Sequence, residues 1–182
     1  MMDEEPKLFD LIEKLEEFNQ GYINRMMDAG ADMISFPEDL GMQVGPMLSP
    51  DLFREYIKPS YKRMMDSARS RGKGIHMHSD GDIRTLADDL VDAGVQALNL
   101  QDLVNGVDWI KAKYKGKLCI DLDIDRQNVT VFGSPKDVDD LIRHEVEELS
   151  DPAGGLMMVY GLYPGTPMEN VIAVMDAMER YM

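Results

Sequence analysis

Five short, largely apolar runs alternate along this chain with longer amphipathic stretches, and that alternation constrains the fold more than any other feature. The runs are Ala31–Phe36, Lys73–His78, Val95–Leu100, Leu118–Leu122 and Gly155–Tyr160. Each has the length of a strand and is too short for a helix with a buried face. Residues Pro6 to Asp28 place Leu8, Leu11, Ile12, Leu15, Phe18, Tyr22 and Met26 at helical spacing. Ser49-Pro50 reads as an N-cap followed by proline at the first helical position. That helix runs to about Arg71, bent at Pro59, and Gly72 ends it. Further helices read near Ile83–Ala93, from Val107 to Tyr114, and from a Ser134-Pro135-Lys136-Asp137 cap to about Leu149. Thr166-Pro167-Met168-Glu169 has the capping-box pattern and opens the closing helix, to about Tyr181. Strands separated by helices mean a parallel sheet covered by helices, an α/β fold. No composition shift marks a boundary, so residues 1–182 read as one domain.

Composition narrows the function. A formal charge of −15 disfavours nucleic acid and anionic membranes, which are polyanions. No apolar run approaches the ~18 residues of a membrane span. The opening Met-Met-Asp-Glu-Glu-Pro is acidic and unlike a secretory signal. A lone cysteine, Cys119, cannot pair internally and fits a reducing, cytoplasmic setting. No Gly-x-Gly-x-x-Gly follows any strand, so a dinucleotide fold has no support.

Chemistry concentrates in Gly74-Ile75-His76-Met77-His78-Ser79-Asp80-Gly81-Asp82. On a strand His76 and His78 share one face, and Asp80 follows them if the extension persists. Imidazole and carboxylate together suit zinc, iron or manganese, so His76, His78 and Asp80 are a candidate metal set. The bland alternative is a hydrogen-bonded histidine pair with no ion.

Four segments resemble the C-terminal portion of the uroporphyrinogen decarboxylase superfamily, which includes cobalamin-dependent methyltransferases. They are Glu-Asp-Leu-Gly-x-Gln (38–43) running into Leu-Ser-Pro-x-x-Phe-Arg-Glu (48–55); His-Ser-Asp-Gly-Asp-Ile (78–83); Gln127 with Phe132-Gly133-Ser134-Pro135; and Gly161-Leu162-Tyr163-Pro164-Gly165-Thr166-Pro167-Met168-Glu169-Asn170. The resemblance implies a TIM-barrel-like fold, with these strands as the fourth to eighth of the barrel. About five of the eight β/α units would then be present, leaving open edges that invite pairing. The expectation is a homo-oligomer, or a partner chain that completes the barrel.

By the same resemblance, the function is that of a lyase or methyl-transfer enzyme. Its substrate would be a tetrapyrrole or a methyl group carried by a corrinoid protein, and its cofactor a divalent metal such as zinc, or a corrinoid. His78 matches the metal-ligand histidine of the methyltransferase branch, but Asp80 replaces the cysteine of its His-x-Cys motif. Tyr160 stands where that branch has its second cysteine and where the decarboxylase branch has a histidine. With both thiolates gone, the thiol-activating zinc site is not reproduced. The strand exits carry Glu38, Asp39, Asp80, Asp82, Asp121, Asp123 and Asp125 against Arg84 and Arg126. Crowded carboxylates repel a polyanion but hold a cation, or act as acid and base once proximity splits their pKa values. The candidate catalytic residues are therefore His78, Asp80, Glu38, Asp39 and Tyr160. Gln43, Gln101, Asp121, Gln127 and Tyr163 are candidate substrate contacts, the tyrosine by stacking on a flat ligand. A catalytically silent binding or assembly subunit, or a truncated fragment of a full-length barrel enzyme, is the alternative.

Overall fold

Leu8, Ile12, Glu16, Gln20, Ile23 and Met27 recur every three or four residues on the inner face of the first helix, α1 (Lys7–Asp28), in a computed structural model that describes residues 5–181. The chain divides into two compact units, one ending at Ala97 and the other beginning at Leu98. The architecture is α/β and partial-TIM-barrel-like, with parallel strands joined through helices.

In the first unit, α1 leads to β1 (Met33–Glu38), and an antiparallel pair of two-residue strands follows, β2 (Gly41–Met42) and β3 (Gly45–Pro46). Ser49 caps the next helix by accepting from the Leu52 amide at 3.3 Å. That helix is α2 (Pro50–Leu52), a π-helical turn (Phe53–Ile57) and α3 (Lys58–Ser70) in one run. The bend expected at Pro59 takes the form of this wider turn, in which the Lys58 amide donates to the Phe53 carbonyl. Proline has no amide to continue the ladder, and one extra residue in the turn relieves the clash. Phe53 and Tyr56 stay buried, and Tyr61 meets Phe36 and Phe53 edge-on, each at 6.1 Å between ring centroids. Then come β4 (Gly74–Ser79) and α4 (Ala87–Ala93), the latter starting four residues later than the apolar pattern suggests. β1 and β4 are parallel, with Ser35 beside His76 and Pro37 beside His78. Among the described residues β1 ends its sheet and pairs only with β4.

The second unit takes β5 (Ala97–Gln101) from Leu98 onward, then α5 (Asp102–Asn105), α6 (Val107–Tyr114), β6 (Cys119–Asp123), α7 (Val129–Phe132), α8 (Pro135–Leu149), β7 (Leu156–Val159) and α9 (Met168–Tyr181). All five β5 residues are buried, as a strand covered on both faces requires. The expected exit loop 123–133 contains α7, which the Asp125 carboxylate initiates by accepting from the amides of Asn128 (3.0 Å) and Val129 (2.6 Å). Ser134 and Asp137 form the capping box of α8. Ile124, Val138, Ile142, Val174 and Ala177 make a closed core where α8 and α9 meet. Each large aliphatic side chain there contributes about 1.5–3 kcal/mol of burial. Asn170, fully buried, donates to the carbonyls of Thr130 (3.0 Å) and Gly133 (2.8 Å) and ties α9 to α7.

Candidate functional site

Alternation along β4 buries Ile75, Met77 and Ser79 and leaves His76 and His78 together on the other face, half-buried. Their surroundings differ. The Ser35 hydroxyl lies 2.8 Å from His76 Nδ1, because the parallel register sets the two residues side by side. His78 Nε2 instead lies 3.5 Å from an Asp80 carboxylate oxygen and 3.7 Å from one of Asp39. Asp39, His78 and Asp80 each offer a ligand atom, all within 4.8 Å of one another. The candidate cation set that the geometry brings together is thus Asp39, His78 and Asp80, whereas His76 of the expected set lies against Ser35.

A backbone clasp produces this grouping. The Gly41 amide donates to the Asp80 carbonyl at 3.1 Å, and the Asp82 amide to the Met42 carbonyl at 2.7 Å. The Ser79 hydroxyl accepts from the Leu40 amide (2.9 Å) and donates to the Asp80 carbonyl (3.0 Å). Gly41 and Gly81 touch backbone to backbone. A Cβ on Gly41 would fall 2.6 Å from the Gly81 carbonyl carbon, and one on Gly81 2.2 Å from that of Gly41. Gly81 also holds φ +80°, a conformation costly for any side chain. Asp82 is occupied structurally: Arg84 donates to both its carboxylate oxygens, which holds the carboxyl below the usual range.

Glu38 faces the other way. It follows Ile34 and Phe36 on β1, bonds to Tyr61, and burial pushes its carboxyl above the ordinary value despite that bond. It adjoins a cavity of about 430 Å³ that Tyr22, Met26, Phe36, Tyr61 and Met64 also line. Gln43 is exposed in the β2–β3 turn.

The remaining expected residues belong to the second unit. Gln101 is buried at the end of β5, and Asp121 is half-buried, its carbonyl accepting from Asn99 Nδ2 at 2.7 Å. Gln127 is exposed, with its amide on Asp125 at 3.3 Å. The Tyr160 ring packs against the α8–α9 core, and its hydroxyl lies 3.4 Å from that of Thr166. Tyr163 is exposed, with the Arg126 guanidinium 5.3 Å from its ring centroid and Arg126 paired to Asp123.

The sequence reading missed the buried acids. Glu145 of α8 is fully buried, and neither carboxyl oxygen makes a well-formed hydrogen bond. Burial first, then the neighbouring Asp102, pushes its pKa up to about 10. Asp102, itself buried, is also raised by burial, while its carboxylate accepts from the Asp125 amide at 2.8 Å. Burial and mutual proximity thus favour the neutral form of both acids, and Glu145, raised furthest, is the protonated member. The signal was present: Val138, Ile142, Glu145 and Leu149 lie on one stripe of α8, so Glu145 occupies an apolar position.

Comparison with known proteins follows this geometry. The family model described as uroporphyrinogen decarboxylase (URO-D) matches residues 1–181. A uroporphyrinogen decarboxylase of Thermus thermophilus is 30% identical over 185 residues, covering 98% of this chain and 50% of that protein. A methylcobamide:CoM methyltransferase of Methanosarcina barkeri is 24% identical over 168 residues, covering 88% of this chain and 45% of that protein. Among solved structures, a methyltransferase from Methanosarcina mazei superposes with a TM-score of 0.67 at 22% identity, over 91% of this chain and 47% of its own, which supports the fold. The chain spans about half the length of the curated relatives it matches.

Proposed function

The chain belongs to the uroporphyrinogen decarboxylase (URO-D) family, and on that premise we propose a methyl-transfer enzyme that takes its methyl group from a corrinoid and binds a divalent cation through Asp39, His78 and Asp80. The observation that carries this reading is the convergence of one imidazole nitrogen and two carboxylate oxygens within 4.8 Å. Such a donor set fits zinc, manganese or iron by its chemistry, although it is harder than the thiolate-containing set the motif resemblance implies. A bound cation would supply Lewis acidity, favouring the deprotonated form of an acceptor thiol or hydroxyl.

The chain's own residues account for the rest. His78 would offer Nε2 as a nitrogen ligand, and the carboxyl groups of Asp39 and Asp80 would offer oxygen ligands to a divalent ion. The Gly41–Gly81 clasp ties the backbone that carries Asp39 to the backbone that carries Asp80, beside His78, which lowers the reorganisation that binding would require. The same charges disfavour a polycarboxylated tetrapyrrole. Each like pair at 4 Å costs about 1 kcal/mol in water and about 4 kcal/mol near a protein surface. A cytoplasmic setting is part of this reading, since the one cysteine fits a reducing compartment. Among the described residues no helix is long and apolar enough to cross a membrane.

The test combines calorimetric titration of the chelator-treated protein with zinc, manganese and cobalt and two parallel assays. One follows methyl transfer from methylcobalamin to a thiol, and the other follows carbon dioxide release from uroporphyrinogen. The reading expects about one cation per chain, methyl transfer, and loss of both in His78→Ala and Asp80→Asn. Carbon dioxide release that survives His78→Ala would overturn it in favour of a lyase. Absence of binding and of both turnovers would overturn it in favour of a non-catalytic binding subunit.

A further inference from the structure

Behind β1, away from the cation cluster, the first unit holds a second cavity with chemistry of its own. Alternation sends Ile34, Phe36 and Glu38 to the face of β1 that packs on helices, while Ser35 goes with His76 on the other. Between that face, α1 and α3 lies the cavity of about 430 Å³. Pockets that hold small molecules run from about 300 to 1,000 Å³. Tyr22, Met26, Phe36, Tyr61 and Met64 form walls of rings and thioethers. Phe36 and Tyr61 meet at 62° with centroids 6.1 Å apart, so the two rings make a corner rather than a flat wall. Among the described residues that line the cavity, Glu38 is the only charged one.

A half-buried carboxylate among rings and thioethers is costly to keep without a partner. The Tyr61 hydroxyl donates one hydrogen bond to it, and Asp39, the next residue, adds a like charge. A carboxylate accepts at about four lone-pair sites, so one phenol leaves most of that capacity open. Among the described residues no lysine or arginine acts on Glu38. These walls discriminate by charge and by polarity. An anion would meet Glu38 and Asp39 with nothing to offset them. A bare metal ion would exchange its water for a single carboxylate and apolar surface, a poor ligand set for any divalent ion. A neutral apolar molecule would cover the carboxylate and leave it unpaired. An organic ammonium ion meets every condition: its N–H groups donate to Glu38, aromatic rings favour its charge, and its apolar part fills the remaining space. We propose that this cavity binds a primary ammonium ion with an aromatic or branched apolar body, Glu38 serving as its counter-ion. Asp39, His78 and Asp80 do not line it, so the site is separate from the proposed cation cluster.

The experiment is a titration of the full chain, labelled with carbon-13 at its methionine methyl groups, followed by NMR. The probe is 2-phenylethylammonium, with neutral 2-phenylethanol and anionic 3-phenylpropionate titrated in parallel. The expected result is a saturable shift of the Met26 and Met64 methyl signals with the ammonium, a far weaker response to the alcohol, and none to the anion. Met168 and Met175, exposed on α9 in the second unit, should stay where they are. Glu38→Gln keeps the shape and removes the charge, and should weaken ammonium binding at least tenfold while its circular dichroism is retained. Tyr22→Ala, at the exposed rim, removes a wall and should weaken it too. No saturable shift with the ammonium overturns the proposal. So does an alcohol that binds equally well, which would leave a plain apolar groove, and that comparison needs no variant. Binding indifferent to Glu38→Gln overturns the counter-ion role, and shifts confined to α9 would assign the ligand to another face. None of these readouts depends on cation binding or turnover, so the proposal stands or falls apart from the proposed activity.

Discussion

Replacing Gly41 by alanine adds one methyl group, and the structure says where it goes. Its Cβ would meet three backbone atoms: the Gly81 carbonyl carbon at 2.6 Å, the Asp82 nitrogen at 2.7 Å and the Asp80 oxygen at 2.8 Å. None belongs to a flexible side chain, so the two strand exits must separate. Separation breaks the bonds from Gly41 to Asp80 and from Asp82 to Met42, at about 1 kcal/mol each. Overpacking adds about 1–3 kcal/mol. A loss of about 3 kcal/mol, at the low end, lowers the melting midpoint by roughly 6–12 °C for a chain of this size. Gly30→Ala is the control. Gly30 also has positive φ, at +100°, but open space at its Cβ position, so it should lose only the conformational penalty of about 1–2 kcal/mol. Thermal denaturation by circular dichroism ranks the two, and zinc titration reads the site. Gly41→Ala should weaken zinc binding at least tenfold by moving Asp39 away from Asp80, whereas Gly30→Ala should leave it unchanged. If Gly41→Ala melts with Gly30→Ala and binds zinc normally, the clasp does not position the cluster.

Three other perturbations follow from buried polar groups. Glu145 is protonated when folded, with a pKa near 10, and ionises at the ordinary carboxylate value when unfolded. Its contribution is complete below the unfolded pKa and is lost as pH rises through the folded one, so urea stability should decline between those limits. Glu145→Gln should flatten that decline, and an unchanged slope would contradict a protonated Glu145 in the folded state. Asn170→Ala leaves the Thr130 and Gly133 carbonyls unpaired in a buried site and should cost about 2–3 kcal/mol in urea denaturation. Asp89 accepts from Arg54 Nε at 2.9 Å and Lys58 Nζ at 2.8 Å while nearly buried. Asp89→Asn should cost about 1.5–3 kcal/mol, and the share of that loss due to Lys58 should change little with added salt, because Lys58 and Asp89 are both largely shielded from solvent.

The elements were legible because their signals are local. Capping residues at Ser49 and Ser134, stop glycines and apolar periodicity placed the five parallel strands within a few residues of their observed positions, whereas the short pair β2–β3 fell in a stretch read as loop. The pairing of His76 and His78 on one face was legible for the same reason, since alternation needs no knowledge of neighbours. What escaped depends on contacts between distant segments. Asp39 reaches His78 only because β1 and β4 are parallel in a particular register, and nothing local to residues 73–82 announces Gly41 as the partner of Gly81. Ser35 captured His76 by the same register. The direction of Glu38 followed from alternation along β1 and was overlooked when it was grouped with Asp39, its neighbour on the opposite face. Glu145 was hidden differently: a helix rich in acids disguises the one acid that stands on the apolar stripe.

The wide turn Phe53–Ile57 carries a surplus residue relative to a regular helix. The segments on either side are therefore phased as though one residue were not there. Dropping a residue from the turn, for instance the exposed Glu55, would restore an ordinary pitch without turning α3 on its axis, while bringing back the Pro59 clash that the wider turn relieves. The same omission within α8 would rotate everything beyond it by about 100° and carry Glu145 and Leu149 off the buried face. Length variation among relatives should therefore gather at this turn, which makes it a natural gap position when such sequences are aligned.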